Sequence, residues 1–174
     1  MPTDLERLIA IEDCKQARLN FHLSLDRKDR DLYFSTVAPD LVFIPRDANN
    51  PDMPEIVMNG ADAFWSFAEQ VLLSRKSIHL GVAPQITVID ENNATGFWYI
   101  LGYGELAPGE GTATQEPEVD PQAKEALGLF RKEGDGETEA PKAIVGFESI
   151  EDEYVRIDGK WVISKILVTA LATL

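Results

Sequence analysis

The stretch AIVGFESIEDEYVR-IDGK-WVISKILVTAL, residues 143–171, decides the fold class. Its two long runs, 143–156 and 161–171, are rich in β-branched and aromatic residues, a composition typical of strands. The connection between them contains Asp158-Gly159, a pair that suits a tight hairpin. We therefore predict two antiparallel strands at this end of the chain.

The same composition extends upstream, where residues 77–90 and 94–106 predict two more strands joined by a short polar turn. A shorter apolar run at 41–44 predicts a strand that is closed by Pro45.

The remaining periodic segments are helical. Apolar residues recur at helical spacing over residues 3–27, and shorter helices are predicted at 30–37 and 63–73. Helices followed by a run of mostly antiparallel strands indicate an α+β fold, in which three N-terminal helices pack on one face of a curved sheet.

Residues 107–142 differ from the rest in being acidic and rich in Gly, Pro and Thr. We interpret them as an insert within a single domain spanning residues 1–174. Two alternatives remain open: a surface loop, or a lid in which a short helix at 120–131 places Leu127, Leu129 and Phe130 over a pocket.

The formal net charge of -14 and the lack of any basic run argue against a nucleic-acid partner or an anionic membrane surface. No apolar stretch is long enough for a membrane span and the N-terminus is charged throughout, so we expect a cytoplasmic protein. The lone Cys14 reads as a small buried hydrophobe. Two histidines without ligand spacing predict no metal site, and the Gly pairs at 102–104 and 109–111 do not make a nucleotide-binding motif, so we expect no cofactor.

Several motifs resemble the SnoaL-like domains of the NTF2-like superfamily. They are LDRKD at 25–29, APDLVF at 38–43, SIHLG at 77–81, PQITV at 84–88, ATGFWY at 94–99 and DEYVRIDGKW at 152–161. The resemblance covers nearly the whole chain except the acidic insert. It points to the branch that holds scytalone dehydratase, bile-acid 7α-dehydratase and hexachlorocyclohexane dehydrochlorinase. It implies the cone-shaped α+β barrel of that superfamily and a homo-oligomer, either a dimer or a trimer.

The resemblance also implies a catalytic pair, because Asp26 and His79 fall on the positions of that branch's aspartate and histidine. Its helper groups are missing here. Phe21 and Leu25 stand where members carry a tyrosine or a lysine, and the last strand offers Lys165 in place of an arginine.

Histidine exchanges protons near neutral pH, and a carboxylate bonded to one ring nitrogen fixes its tautomer. We therefore expect His79 to abstract a proton and Asp26 to orient it. His22 lies one helical turn before Asp26, and two alternatives stay open for it: a part of the site, or a partly exposed helix residue.

The other predicted site residues are aromatic. Tyr99 and Tyr103, on one face of their strand by alternation, are the predicted substitutes for the missing tyrosine, and Phe21, Trp65 and Trp98 are predicted pocket walls.

Three functions are compatible with these residues. The leading hypothesis is a cofactor-independent lyase, a dehydratase of a cyclic, largely apolar hydroxylated small molecule. The alternatives are an isomerase or polyketide-cyclase-type enzyme, and a non-catalytic small-molecule-binding protein. One fold hosts all three, so the fold alone does not choose among them.

Overall fold

The computed structural model describes residues 2–73, 76–105 and 143–173. Within these ranges the elements are three helices and six strands: α1 (Asp4–Arg27), α2 (Arg30–Phe34), β1 (Val37–Asp47), β2 (Met58–Asn59), α3 (Ala61–Val71), β3 (Lys76–Val88), β4 (Asn93–Glu105), β5 (Ala143–Ile157) and β6 (Lys160–Thr173). The α+β prediction is confirmed. The acidic insert at 107–142 lies outside the described residues.

The six strands form one sheet in the order β2-β1-β6-β5-β4-β3. All neighbouring pairs are antiparallel except β1 and β6, which run parallel. The β5–β6 hairpin closes where predicted, with Ile157 paired to Lys160. Asp158 and Gly159 both have positive φ, of 50° and 82°, as a two-residue turn of this kind requires.

Local signals at both ends set the length of α1. Thr3 and Glu6 form a reciprocal capping box at its start. Lys28 ends the helix in the left-handed conformation at φ 60°, and its backbone N–H is satisfied by carbonyls of the last turn. Helix α2 begins directly after this turn. Asp29 caps its start, because its carboxylate accepts a hydrogen bond from the N–H of Leu32.

Two of the predicted boundaries were wrong. The second helix ends at Phe34 and not at residue 37, and Val37 already begins β1. That strand then continues through Pro45 to Asp47. Its long parallel pairing with β6 runs along one edge of the strand as far as Asp47. On its other side β2 pairs only with Val42 and Phe43, so a proline near this edge interrupts no further ladder.

The helices cover one face of the sheet and bury an aromatic core there. Phe64 of α3 lies within 6 Å, centroid to centroid, of the rings of Phe21, Tyr33 and Phe43. Burial of an aromatic side chain of this kind contributes about 1.5–3 kcal/mol, so the cluster holds α1, α3 and β1 together. In the described part of the chain, no helix is long and apolar enough to span a membrane.

Candidate active site

Asp26 and His79 meet across the gap between α1 and β3. The Asp26 Oδ1 to His79 Nδ1 distance is 2.7 Å, and Oδ2 accepts the backbone N–H of the same His79 at 3.0 Å. The Ser77 hydroxyl donates to Oδ1 at 2.9 Å. Three donors from one strand therefore fix the orientation of a single carboxylate near the end of α1.

These contacts determine the charge state of the pair. Burial opposes ionisation of Asp26, but the hydrogen bonds and charge of His79, together with the Ser77 hydroxyl, outweigh it and lower the pKa of the carboxyl below its usual 3.8. An ionised Asp26 accepts hydrogen bonds only, so the proton between the two residues resides on His79 Nδ1. The lone pair is then on Nε2, which has no hydrogen-bond partner in the described ranges.

His22 stacks on His79, with ring centroids 5.3 Å apart and planes inclined by 20°. It is 4% exposed, so it is not the partly exposed helix residue that was one of the two alternatives. Burial lowers the pKa of His22 well below its usual 6.5, and the charges of Arg18 and His79 add to that effect. A neutral ring thus packs against the predicted base.

A cavity of about 150 Å³ opens beside the dyad. Both His22 and His79 border it, and most of the other walls are apolar side chains from the helices and the sheet. These apolar walls include Phe21, Leu25, Phe43, Phe64, Phe67, Leu72, Ile150, Ile166 and Val168. An apolar cavity of this order accommodates a small ring such as benzene.

Two glycines form the floor of the cavity next to His79. The register aligns His79 with Gly102 on β4, and Gly102 with Gly146 on β5, so all three share one face of the sheet. A Cβ at Gly102 would approach His79 Cδ2 at 3.8 Å, and a Cβ at Gly146 would meet nothing within 4 Å. Because neither glycine has a side chain, open space remains directly beside the imidazole of His79.

A second charged pair joins α1 to the sheet beside the same cavity. Arg18 donates through Nε to Asp152 Oδ2 at 2.8 Å and through Nη2 to Oδ1, and both side chains are fully buried. Tyr154 donates its hydroxyl to Asp152 at 2.7 Å and accepts a hydrogen bond from Trp98 Nε1 at 3.2 Å. Burial raises the pKa of Asp152, an effect that Arg18 and Tyr154 oppose.

Arg18 itself borders the cavity, and its Nη1 is buried without a partner among the described residues. Glu148 also borders the cavity. Burial raises the pKa of this carboxyl, while the charges of His79 and Arg18 act to lower it. The titratable side chains of the helix α1 and strand β5 that border the cavity beside His79 are therefore His22, Arg18 and Glu148.

The structure brings four of the sequence-predicted site residues together. Asp26 bonds to His79, while His79, Phe21 and Tyr103 border the cavity. Tyr103 alternates with Gly102 and so shares the outer face of β4 with Tyr99, and its hydroxyl donates to Glu105 on that face at 2.8 Å.

The other three predicted site residues lie apart from the cavity. Tyr99 is 48% exposed on the opposite face of β4, because the alternation that groups it with Phe97 turns both rings away from the helices. Trp98 is buried behind the cavity, where it supports Tyr154. Trp65 packs on Tyr33, with ring centroids 5.1 Å apart, and donates to Glu69.

The sequence interpretation missed Arg18, Glu148 and Asp152. A signal was present for Arg18 and Asp152. Arg18 falls on the buried face of α1 between Cys14 and Phe21, and Asp152 alternates with the buried Ile150 and Tyr154 on β5. Charged residues at positions that the pattern assigns to the interior are paired or functional.

No group of three or more metal-ligating side chains occurs in the part of the chain that the structure describes. Cys14 is buried, which raises the pKa of its thiol to about 12 and leaves it without thiolate chemistry.

Comparisons with known proteins agree with this architecture. Solved structures with the same fold include a type-3 hexachlorocyclohexane dehydrochlorinase from Novosphingobium barchaimii LL02, with 16% identity and a TM-score of 0.69. The alignment covers 99% of this chain and 93% of that one. A protein from Novosphingobium aromaticivorans DSM 12444, provisionally assigned as a scytalone dehydratase, has 13% identity and a TM-score of 0.67. That alignment covers 99% of this chain and 91% of the other.

At such identities these likenesses show a shared fold, and they do not carry an activity over. A search of curated proteins finds no match. The family assignment comes from the sequence, since residues 6–166 match the SnoaL-like domain. This chain, with an Asp-His pair between its first helix and its sheet, belongs to the SnoaL-like domain family of the NTF2-like superfamily.

Proposed function

We propose that this protein is a cofactor-independent lyase that dehydrates a cyclic, largely apolar hydroxylated small molecule. The observation that carries the proposal is the 2.7 Å contact of Asp26 with His79 Nδ1 at the edge of an apolar cavity. The names of the structural neighbours, a dehydrochlorinase and a scytalone dehydratase, are of the same reaction type.

His79 acts as the base and Asp26 as its orienting partner. The carboxylate holds the Nδ1–H tautomer, so Nε2 removes a proton from a carbon of the substrate and Asp26 stabilises the resulting imidazolium. The same imidazolium then protonates the departing hydroxyl group, which leaves as water. General acid-base assistance of this kind contributes about 10²- to 10⁴-fold to the rate.

The cavity supplies the setting for this reaction. Its apolar walls exclude water from the base, and a ring-sized substrate places a C–H bond over the glycine floor next to His79. Proximity of this kind requires no metal and no cofactor, because the reaction moves one proton and one hydroxyl group.

The test uses a panel of cyclic β-hydroxy ketones, beginning with 3-hydroxycyclohexanone, whose dehydration to the conjugated enone is followed by ultraviolet absorbance. We expect turnover by the natural protein, and its loss in His79→Gln and Asp26→Asn with binding of the ketone retained. Asp31→Asn, an exposed carboxylate on α2, is the matched control for the change in charge.

Each alternative predicts a different outcome of the same experiment. Exchange of the α-hydrogen for deuterium in D2O without loss of the hydroxyl group would favour the isomerase or cyclase-type enzyme. Binding of panel members without exchange or dehydration, or an equal loss of binding in His79→Gln, would favour the non-catalytic binding protein.

A further inference from the structure

Asp26 holds the imidazole of His79 along one edge of the ring. The Nδ1 atom lies 2.7 Å from Asp26 Oδ1, and Cδ2 lies on the side of Gly102, where an added Cβ would be 3.8 Å away. One hydrogen bond tolerates a range of ring tilts, because the χ2 torsion of histidine is broad and hydrogen bonds weaken steeply only at strongly bent angles. The direction in which Nε2 points therefore depends on a second contact.

His22 supplies this contact, and it does so at the face of the ring. The two ring centroids are 5.3 Å apart and the planes are inclined by 20°, which is the geometry of an offset stack. His22 lies one helical turn before Asp26 on α1, so the two side chains project from the same face of that helix. A single helix thus constrains both an edge and a face of one imidazole.

The ring of His22 is itself firmly placed. It is 4% exposed, and Phe21 meets it edge-on at a centroid distance of 5.9 Å and an angle of 65°. Its Nδ1 is buried and has no hydrogen-bond partner among the described residues, which costs stability. An aliphatic side chain would avoid this cost, but it would offer no flat surface to His79.

The stack is compatible with both protonation states of His79. Burial lowers the pKa of His22 well below its usual 6.5, and the charges of Arg18 and His79 add to the effect, so His22 is neutral. A charged ring at this distance would repel the imidazolium that His79 forms in the proposed reaction. A neutral aromatic face does not, since such faces attract cations within about 6 Å.

We propose that His22 is a positioning residue, whose stacked ring fixes the imidazole plane of His79 so that Nε2 points into the cavity above Gly102 and Gly146. This inference rests on the proposed function and deepens it, because it names a second residue besides Asp26 that orients the base. His22 acts through His79 and takes no part in the proton transfer.

The first test measures the order of the His79 ring and needs no substrate. The chain has two histidines, so carbon-13 labelling of histidine gives two sets of ring signals, and a variant at His22 leaves only that of His79. Relaxation of the Cδ2–H and Cε1–H bonds gives the order parameter of the ring. We expect about 0.85 in the natural protein and in His22→Phe, and a decrease toward about 0.6 in His22→Ala.

The second test separates kcat from KM with the hydroxy ketone panel. We expect kcat of His22→Ala to fall roughly 2- to 10-fold, the effect of losing one aromatic stacking contact, with a smaller change in KM. His22→Phe restores the stack and should restore kcat. His22→Leu refills the space without a flat ring, so it should resemble His22→Ala, and it takes the place of that variant if the alanine protein does not fold.

Ile166→Ala is the matched control for the change in cavity volume. Ile166 is a buried residue that borders the cavity from β6, and strands β5 and β4 separate β6 from β3. We expect this variant to change KM and to keep the natural order of the His79 ring. Thermal unfolding checks that each variant is folded.

The inference is overturned if the His79 ring is equally ordered with and without an aromatic residue at position 22, or if His22→Phe fails to restore the order. The same conclusion follows if Ile166→Ala disorders the ring as much as His22→Ala does. Ring order that depends on His22, without dehydration of any panel member, would leave the positioning role standing and refute the proposed function. Dehydration at an unchanged rate in His22→Ala would do the reverse.

Discussion

Two aspartates each pair with a basic side chain and so link α1 to the sheet. In one pair the aspartate belongs to the helix, and in the other it belongs to the sheet. Asp26 extends from the helix to His79 on β3, and the two side chains remain 16% and 20% exposed. Asp152 extends from β5 to Arg18 on the helix, and both of those side chains are fully buried. The first pair joins a carboxylate to an imidazole, while the second joins a carboxylate to a guanidinium, which is always charged.

The difference in burial suits the two pairs to different roles under the proposed function. A proton-transfer pair needs an accessible nitrogen and a partner that tolerates both protonation states. A fully buried pair that joins a helix to a sheet needs the opposite, a cation whose surroundings do not change. One residue of each pair, His79 of the partly exposed pair and Arg18 of the fully buried pair, borders the same cavity.

The largest expected effect breaks the first pair. Replacing Asp26 with Asn removes the ionised partner that holds the Nδ1–H tautomer, so we expect dehydration of a cyclic β-hydroxy ketone to slow by about 10²- to 10⁴-fold. The measurement is kcat by the absorbance assay, with Asp31→Asn expected to match the natural protein. Unchanged kcat in Asp26→Asn would remove the dyad from the mechanism.

The second prediction breaks the other pair and concerns stability. Asp152→Ala leaves the buried Arg18 guanidinium without its counter-charge, which should lower the free energy of unfolding by about 3–5 kcal/mol. Asp26→Ala involves a partly exposed pair, so we expect a loss of about 1 kcal/mol or less. Urea denaturation of both variants measures the contrast. Similar losses would show that burial does not distinguish the two pairs.

The third prediction concerns His22, the buried ring that stacks on His79. The folded-state pKa of His22 is lowered, so below its ordinary 6.5 the unfolded chain binds a proton that the folded protein does not. Stability contributed by neutral His22 is therefore present above pH 6.5 and is lost as pH falls, by up to about 1.4 kcal/mol per pH unit.

His22→Phe keeps an aromatic ring against His79 and removes that titration. Denaturation midpoints between pH 7 and pH 5 should fall less steeply in this variant than in the natural protein. The lowered pKa of Asp26 acts in a separate window, since its contribution is present above the ordinary carboxyl value of 3.8 and is lost only in stronger acid. Equal acid slopes in the two proteins would contradict a buried neutral His22.

The smallest expected effects come from the supporting hydroxyl groups. Ser77→Ala removes one donor to Asp26, and Tyr154→Phe removes one donor to Asp152. Each change should cost about 0.5–1.5 kcal/mol of stability. Only Ser77→Ala should also shift the pH dependence of kcat, because it raises the pKa of the carboxyl that orients the base. A shift of the pH dependence in both variants would mean that the hydrogen-bond networks of Asp26 and Asp152 are coupled.

The sequence was sufficient for the fold because local signals and the global pattern agreed. Helical periodicity over residues 3–27 and the Asp158-Gly159 turn each specified their element with little ambiguity. The parallel pairing of β1 with β6 was not predictable in the same way. The two strands are far apart in the sequence, and no turn between them marks the pairing.

The site was predicted unevenly. Asp26 and His79 came from a resemblance, and their contact confirms the geometry without testing the chemistry. Alternation correctly grouped Tyr99 with its neighbours on one face, but it does not say which face is covered, and Tyr99 lies on the outer one. Arg18 was missed because the helical pattern was traced through apolar residues alone, while its spacing from Cys14 and Phe21 already assigned it to the interior.

The floor of the cavity has a consequence for how the substrate range of such a protein changes. Gly146 has ordinary extended backbone and room above it, so a larger residue there alters the shape of the space without moving the backbone or either charged pair. Under the proposed function, selectivity for ring size is thereby separated from the proton chemistry, and we expect a single substitution at Gly146 to change the first while the second stays intact.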